Sequence, residues 1–252
     1  MNTSGNTILI TGGGSGIGRG LAEAFHSLGN QVIIAGRRRS ALDATTAANP
    51  GMQSVALDLE KNDIRAFAAS VVARFPKLNA LINNAGIMRP ERLNAETVDL
   101  TDSEATVTTN LLGPIRLTAA LLPHLKKQPG AAIINVSSGL AFVALTLTPT
   151  YCATKAALHS YTQSLRNQLK STKVEVLELI PPYVATDLMG GAKDPRAMPL
   201  NEFISETMEI LKSQPTPAEI CVERVKALRF AAESGRYDGL FQGMNSALAN
   251  FE

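Results

Sequence analysis

The sequence predicts an α/β domain in which helices cover both faces of a doubly wound parallel sheet. Two observations lead to this fold class: short runs that are almost entirely apolar recur along the chain, and stretches with apolar residues at helical spacing follow them. A strand that is apolar throughout is buried on both faces, which requires helices on each side of the sheet. Right-handed crossovers between such strands wind the sheet in two directions.

Turn and capping residues set the expected bounds of these elements. The first helix should end before Gly29, because glycine suits the left-handed conformation that closes many helices. Asp63 should cap the next predicted helix, and Pro76 should follow its end. The predicted strands are 7–11, 31–35, 54–57, 78–82, 131–136 and 174–180, with 219–222 as a short edge strand; the predicted helices are 17–28, 64–75, 101–125, 151–170 and a terminal helix over 237–249.

Composition and charge favour one globular domain over residues 1–252. Of these residues 45% are hydrophobic and 18% are charged, and no repeat or low-complexity linker divides the chain. The net charge of +2, without a broad basic face, argues against nucleic-acid binding. The two cysteines are far apart in sequence, which is typical of a reducing compartment and predicts a cytoplasmic protein.

Neither a membrane segment nor a metal site is expected. The first ten residues lack the basic start and long apolar stretch of a signal peptide. Residues 128–154 contain no charge, but polar residues and Pro149 interrupt them before the ~20 apolar residues that a spanning helix needs. The three histidines show no metal-ligand spacing.

Residues 187–217 differ from the rest of the chain. Glycines and several prolines flank one amphipathic stretch, 202–211, which predicts an irregular excursion with a single short helix. This segment is either a surface loop or a mobile substrate lid, and its place after the motifs described below favours the lid.

A glycine-rich loop follows the first predicted strand and precedes the first predicted helix. Glycines permit a tight turn and the close approach of a pyrophosphate, and the helix N-terminus offers free N–H groups to it. The loop therefore predicts a dinucleotide site. Its expected contact residues are Thr11, Gly12, Gly14, Ser15, Gly16, Ile17 and Gly18.

The end of the second strand predicts which dinucleotide binds. An acidic residue there would bind the ribose 2′-hydroxyl of NAD, but the sequence reads Ala35-Gly36-Arg37-Arg38. A guanidinium can bind a 2′-phosphate through two hydrogen bonds. The expected cofactor is therefore NADP(H), with Arg37 as the main contact and Arg38 assisting, while Arg39 begins a helix.

Tyr151 and Lys155 lie four residues apart in a predicted helix and so share one face. A nearby ammonium favours the phenolate and should lower the pKa of the tyrosine from about 10. A lower value would suit an acid that works near neutral pH. A tyrosine and a lysine at this spacing are common on helix faces. The motifs around them therefore decide whether this pair is catalytic.

The motifs together resemble those of the classical short-chain dehydrogenase/reductase family over residues 7–190. The sequence is most similar to the DltE-like branch of that family, through residues 137–142, 151–160 and 181–184. The motifs are Thr11-Gly-x-x-x-Gly16-x-Gly18, Asn83-Asn84-Ala85-Gly86, Asn110, Ser138 and Tyr151-x-x-x-Lys155. The resemblance implies a single Rossmann domain.

The resemblance also implies roles for individual residues. Tyr151 transfers the proton to or from the substrate oxygen, and Ser138 hydrogen-bonds that oxygen. Lys155 binds the nicotinamide ribose and lowers the tyrosine pKa, while Asn110 distorts the long helix and anchors a water. Further cofactor contacts are expected from Asp58, Leu59, Asn84, Ala85, Gly86, Pro181, Val184 and Thr186, besides Tyr151 and Lys155 themselves.

Two departures from the family pattern bear on these expectations. Pro182 stands where the family usually has glycine, which removes an N–H and fixes the backbone near the nicotinamide contacts. The family's glycine-rich ending of the last strand is also missing, which affects oligomer contacts through the C-terminus. By resemblance, a homodimer or homotetramer is still expected, through the helices predicted over 101–125 and 151–170.

The expected function is the interconversion of a carbonyl and an alcohol, with reduction of an apolar ketone or aldehyde favoured. Two alternatives stay open: a non-catalytic NADP(H)-binding sensor or partner-binding protein, and another reaction on the same fold, such as epimerisation or dehydration. The substrate is expected to be a small molecule held by an apolar wall. Its expected residues are Leu140, Phe142, Val143, Leu145, Leu147, Leu188 and Met189.

Overall fold

The structure is a computed structural model that describes residues 1–214 and 216–246. Within these ranges, seven parallel strands form one sheet in the order β3-β2-β1-β4-β5-β6-β7. The chain winds outward in one direction from β1 and in the other from β4, which confirms the doubly wound α/β prediction. The strands are β1 Thr7–Thr11, β2 Gln31–Gly36, β3 Gln53–Ala56, β4 Ala80–Asn83, β5 Ala131–Val136, β6 Val174–Ile180 and β7 Glu219–Cys221.

Most of the helices lie close to their predicted positions, but the sequence analysis gave no range for the helix over 39–48 and did not predict the one over 226–229. Gly29 has φ +79°, and its N–H donates to His26 at 2.9 Å, as expected at the end of the first helix. Asp63 accepts hydrogen bonds from the first turn of the helix that follows it. The helices are α1 Gly16–Ser27, α2 Arg39–Ala48, α3 Ile64–Arg74, α4 Thr101–Val107, α5 Gly113–Leu125, α6 Pro149–Leu169, α7 Leu200–Ser213, α8 Lys226–Arg229 and α9 Tyr237–Ser246. Of the predicted terminal helix, 247–249 lie outside the described residues.

Two apolar cores lie on opposite faces of the sheet, because successive side chains of a strand point to opposite sides. In β1, Ile8 and Ile10 belong to the core under α1 and α7, whereas Leu9 belongs to the core under α3 and α5. All three are fully buried. Among the helices that the structure describes, none is both long enough and apolar enough to span a membrane.

The predicted helix 101–125 is not uniform. A π-helical turn, Thr108–Leu112, separates α4 from α5 and contains Asn110. The Asn110 side chain bonds the backbone of Ile87, beyond β4, and so draws this turn toward the sheet. π-Turns often occur at functional sites, and this one sets the direction of the asparagine.

The helix predicted in the 187–217 segment is present, two residues longer at each end than the predicted stretch 202–211. Helix α7 has 14 residues, and Phe203 in its first turn is fully buried in the core beside α1. Apolar residues at helical spacing pack this helix against α1, which has glycine at position 20 next to Ile204. The exposed part of the segment precedes α7, where Met189 has φ +53°, a strained value for a residue other than glycine. The mobility of the lid stays a prediction.

Candidate active site

The glycine-rich loop lies at the carboxyl end of β1, where the winding of the sheet reverses. The N–H groups of Gly12 and Gly13 both donate to Ala35 in β2, at 2.7 and 3.3 Å. A Cβ added at Gly18 would lie only 2.3 Å from the carbonyl oxygen of Gly12, so the loop and α1 pack in contact. The position of the loop relative to α1 is therefore fixed by this close packing.

The N-terminus of α1 follows this loop and has no side-chain cap. The N-cap residue, Ser15, makes no capping hydrogen bond; its hydroxyl accepts one from Arg38 Nη2 at 2.8 Å instead. The first N–H groups of α1 are therefore directed at an incoming ligand, as in helix sites that bind phosphate. Arg38 lies against the loop, and Arg37 is exposed directly after β2.

Thr11 joins the glycine loop to the segment that follows β4. Its Oγ1 accepts hydrogen bonds from the N–H groups of Asn84 and Ala85, both at 3.0 Å, and the Asn84 side chain donates to the Thr11 carbonyl at 2.9 Å. Two motifs that are more than 70 residues apart thus lie side by side. Gly86 comes next, beside Asn110 and Lys155, where a larger side chain would crowd Asn110 Oδ1.

The four predicted catalytic residues lie together and are buried. Asn110 is 0% exposed, Lys155 4%, Tyr151 7% and Ser138 8%. Lys155 Nζ lies 5.5 Å from the centre of the Tyr151 ring and donates to the Val136 carbonyl at 2.8 Å. The tertiary structure therefore brings Ser138, at the end of β5, to one face of α6.

Burial governs the protonation of this site. It raises the pKa of Tyr151 to about 12, against the effect of a hydrogen bond with Ser138. It lowers the pKa of Lys155 to about 8, against the attraction of Glu178. In this chain by itself burial therefore outweighs the effects that favour the phenolate, and the lowering of the tyrosine pKa by Lys155 with a bound nicotinamide stays a prediction.

Asn110 connects three parts of the site. Its Oδ1 accepts from the Ile87 N–H and its Nδ2 donates to the Ile87 carbonyl, both at 2.8 Å. Nδ2 also lies 3.5 Å from Thr154 Oγ1 in α6. The π-turn, the segment after β4 and the helix of the tyrosine are held together through this one side chain.

The remaining predicted cofactor residues surround the same edge of the sheet. Thr186 lies against Gly16 of the loop, Val184 is buried, and the Pro181 carbonyl accepts a hydrogen bond from Gly139 at 2.9 Å. Beyond β3, Leu59 packs on Gly113 and the Asp58 carboxylate accepts from the Glu60 N–H. Each of these residues lies at the carboxyl ends of the strands, where a dinucleotide would extend.

Sequence analysis missed a polar cluster behind β5. His159, Glu178 and Glu219 place potential metal-ligand atoms within 4.8 Å of one another. Arg229 already donates two hydrogen bonds to Glu219, at 2.6 and 3.0 Å, and Ser137 donates to Glu178 at 2.5 Å. Glu178, the second of two glutamates in the otherwise apolar strand β6, was the signal in the sequence that could have indicated this cluster.

A cavity of about 830 Å³ lies beside the catalytic loop. Its walls include Leu140 and Cys152, close in sequence to Ser138 and Tyr151, and the rings of Tyr237 and Phe241 from α9. Of the predicted apolar wall, Leu140, Phe142 and Leu145 line this cavity, whereas Val143 is fully buried in the interior. Helix α9 is held here by Asn245, which accepts from the Thr146 N–H at 2.7 Å.

Fold and site together define a Rossmann-type protein with a serine–tyrosine–lysine centre. A family model described as short chain dehydrogenase matches residues 6–197. The uncharacterized oxidoreductase DltE of Bacillus subtilis (strain 168) is 40% identical over 98% of this chain and 99% of its own length. The chain therefore belongs to the short chain dehydrogenase family, is an oxidoreductase of that family, and is similar to its DltE-like branch.

Solved structures show the same fold. A short chain dehydrogenase from Burkholderia cenocepacia J2315, in complex with NADP, is 26% identical with a TM-score of 0.80, over 97% of this chain and 99% of that one. A 3-ketoacyl-(acyl-carrier-protein) reductase from Brucella melitensis, complexed with NADH, is 28% identical with a TM-score of 0.76, over 85% of this chain and 93% of that one.

Proposed function

We propose that the protein is an NADP(H)-dependent reductase that converts a small apolar ketone or aldehyde to an alcohol. The main support is that Ser138, Tyr151 and Lys155 are buried together beside the segment after β4, which also contacts the glycine loop. Side chains that accept or donate protons next to a dinucleotide cradle form the arrangement that carbonyl reduction needs.

The loop geometry fits a dinucleotide. The tight packing at Gly18 and the uncapped N-terminus of α1 suit a pyrophosphate, which would bind to the N–H groups of Ser15–Gly18. Arg37 and Arg38 would bind a 2′-phosphate. One solved relative is in complex with NADP and another with NADH, so the proposed preference for NADP(H) depends on these two arginines.

The cofactor preference can be tested at Arg37. Replacing it with aspartate puts a carboxylate where the 2′-phosphate would bind, so NADPH affinity should fall at least about tenfold while NADH affinity rises. Both affinities are measured by quenching of cofactor fluorescence. The matched control is Arg39→Asp, since Arg39 pairs with Asp43 on the surface of α2. Unchanged preference in Arg37→Asp would remove this assignment.

When bound, the cofactor supplies the hydride. In the protein, Ser138 orients the substrate oxygen by a hydrogen bond and Tyr151 donates its proton to that oxygen. The raised pKa keeps the phenol protonated at neutral pH, which suits the direction of reduction. Lys155, held by the Val136 carbonyl, places a positive charge near the ring that favours the phenolate as the proton leaves.

The reductase assignment is tested by NADPH oxidation at 340 nm with a panel of apolar ketones and aldehydes. Tyr151→Phe should lower kcat at least about 10²-fold, because the proton donor is removed, and should keep NADPH affinity. Turnover that survives in Tyr151→Phe would rule out this acid.

The alternative of a non-catalytic NADP(H) sensor predicts a different result from the same experiment. A sensor would bind NADPH tightly and reduce no member of the panel, and Tyr151→Phe would change nothing.

Two free thiols, Cys152 and Cys221, are compatible with the proposed cytoplasmic location.

A further inference from the structure

Glu178 is a buried carboxylate that the proposed reaction does not use. It lies in β6, whose sequence is otherwise mostly apolar, and it is 0% exposed. Its oxygens lie 2.5 Å from Ser137 Oγ, which donates to it, and 2.8 Å from His159 Nδ1. A buried carboxylate is costly unless it is hydrogen-bonded and paired, so its partners indicate what it does.

Three consecutive residues at the end of β5 connect Glu178 to the site. The Val136 carbonyl accepts from Lys155 Nζ, the Ser137 hydroxyl donates to Glu178, and the Ser138 hydroxyl bonds Tyr151. The position of each of these partners thus depends on the same short stretch of backbone. A change at Glu178 would be transmitted to both Lys155 and Ser138.

Glu178 also attracts the positive charge of Lys155. Its charge opposes the effect of burial on the pKa of Lys155. Other charged or titratable groups near Glu178 are His159 in α6, Glu219 and Cys221 in β7, and Arg229 at the end of α8. Arg229 forms ion pairs with both Glu219 and Glu233, so its guanidinium balances the negative charge of those two carboxylates.

A second path links the cluster to the catalytic loop. The His159 ring packs edge-on against Phe142, with 4.8 Å between ring centres, and Arg229 lies 4.7 Å from the same ring. Phe142 closes the turn that begins at Ser138. The polar cluster therefore supports the loop from behind, outside the substrate side of the site.

We propose that Glu178 is a positioning residue, which fixes the Val136–Ser138 backbone through Ser137 and keeps Lys155 in its charged form during turnover. This inference rests on the proposed function, because it takes Ser138, Tyr151 and Lys155 as the reacting centre. Glu178 touches neither substrate nor cofactor in this assignment.

The direct test is the titration of Lys155 by NMR, in protein with ¹³C-labelled lysine side chains and with the resonance assigned through Lys155→Met. Glu178→Gln should lower the midpoint by about one pH unit, because the facing charge is lost. Glu219→Gln is the matched control and should leave the midpoint in place, since Glu219 is paired with Arg229. Glu178→Asp, which keeps the charge, should restore most of the wild-type midpoint.

Turnover gives the second readout. In Glu178→Gln, kcat should fall off at lower pH than in the wild type, with about a threefold loss at pH 7.5 and little change near pH 6. If Glu178→Gln does not fold, Glu178→Met offers a neutral side chain of similar volume, studied with NADPH present for stability.

The two proposals fail separately. Wild-type protein without Tyr151-dependent turnover would end the reductase proposal, and the lysine titration would still measure the effect of Glu178. An equal midpoint in wild type and Glu178→Gln, or an equal decrease in Glu219→Gln, would overturn the role given to Glu178.

Discussion

At the scale of single residues, burial shifts the pKa values of Tyr151 and Lys155 more than neighbouring charges and hydrogen bonds do. Burial favours the neutral form of both groups: it raises the pKa of Tyr151 to about 12 and lowers the pKa of Lys155 to about 8. The lysine is therefore a destabilising residue at neutral pH, where it is charged in both the folded and the unfolded protein and must be buried with its charge. Function, not stability, accounts for its presence.

Replacing Lys155 with methionine should stabilise the protein at pH 7 by on the order of 2 kcal/mol. The pKa depression from 10.5 to about 8 corresponds to about 3 kcal/mol, less about 1 kcal/mol for the lost hydrogen bond to Val136. Between about pH 8 and 10.5 the folded wild type releases the proton that the unfolded chain keeps, so wild-type stability rises with pH. The difference between the two proteins should shrink across that window.

Urea unfolding at pH 7 and pH 9.5 measures both effects. Lys77→Met is the control, because Lys77 is exposed and its replacement should change stability little at either pH. A Lys155→Met protein that is less stable than wild type at pH 7, or a difference that does not vary with pH, would show that burial does not dominate.

At the scale of elements, the contact between the glycine loop and α1 fixes the cofactor cradle. Gly18 lies in the first turn of α1. Because it has no side chain, the Gly12 carbonyl and the Asn84 side chain can approach its backbone closely. The same contact holds the segment after β4 through the bond between Asn84 and Thr11. The strand, the loop and the helix therefore act as one unit in the binding site.

Gly18→Ala should destabilise the protein by about 1–3 kcal/mol and weaken NADPH binding at least about tenfold. Alanine normally favours a helix over glycine by about 1 kcal/mol, but here its Cβ would lie 2.3 Å from Gly12 O and 2.4 Å from Asn84 Nδ2. Thermal unfolding and fluorescence titration with NADPH measure the two effects. Gly130→Ala is the control, since no atom lies within 4 Å of the added group; a tolerated Gly18→Ala would mean that the cradle is not closely packed.

At the scale of the whole molecule, apolar residues are exposed in the segment before α4 and on α6. Leu93 is 59% exposed, Val98 43% and Leu100 53%, and the small residues Ala153 and Ala156 are exposed on α6. Exposed apolar residues on neighbouring elements are typical of an interface with another chain. It supports the homodimer or homotetramer that the family resemblance predicts.

Light scattering at micromolar concentration should therefore give a mass that is a multiple of 26.7 kDa. Ala156→Arg should shift the protein toward the monomer, because a guanidinium on this face would be buried without a partner. Ala69→Arg, on the exposed face of α3, is the matched control and should keep the wild-type mass. A monomeric wild type would refute the oligomer.

The sequence by itself determined the sheet, most helix positions and the motif residues, because strand burial, capping and glycine turns depend on local residue patterns. The edge strand at 219 and the cap at Asp63 were predicted on that basis. The tertiary structure alone decided the depth of α7, the π-turn at Asn110 and the pairing of Glu178 with Ser137 and His159. These features depend on contacts between segments far apart in the chain and on the low dielectric that burial creates, and the local pattern of the sequence encodes neither.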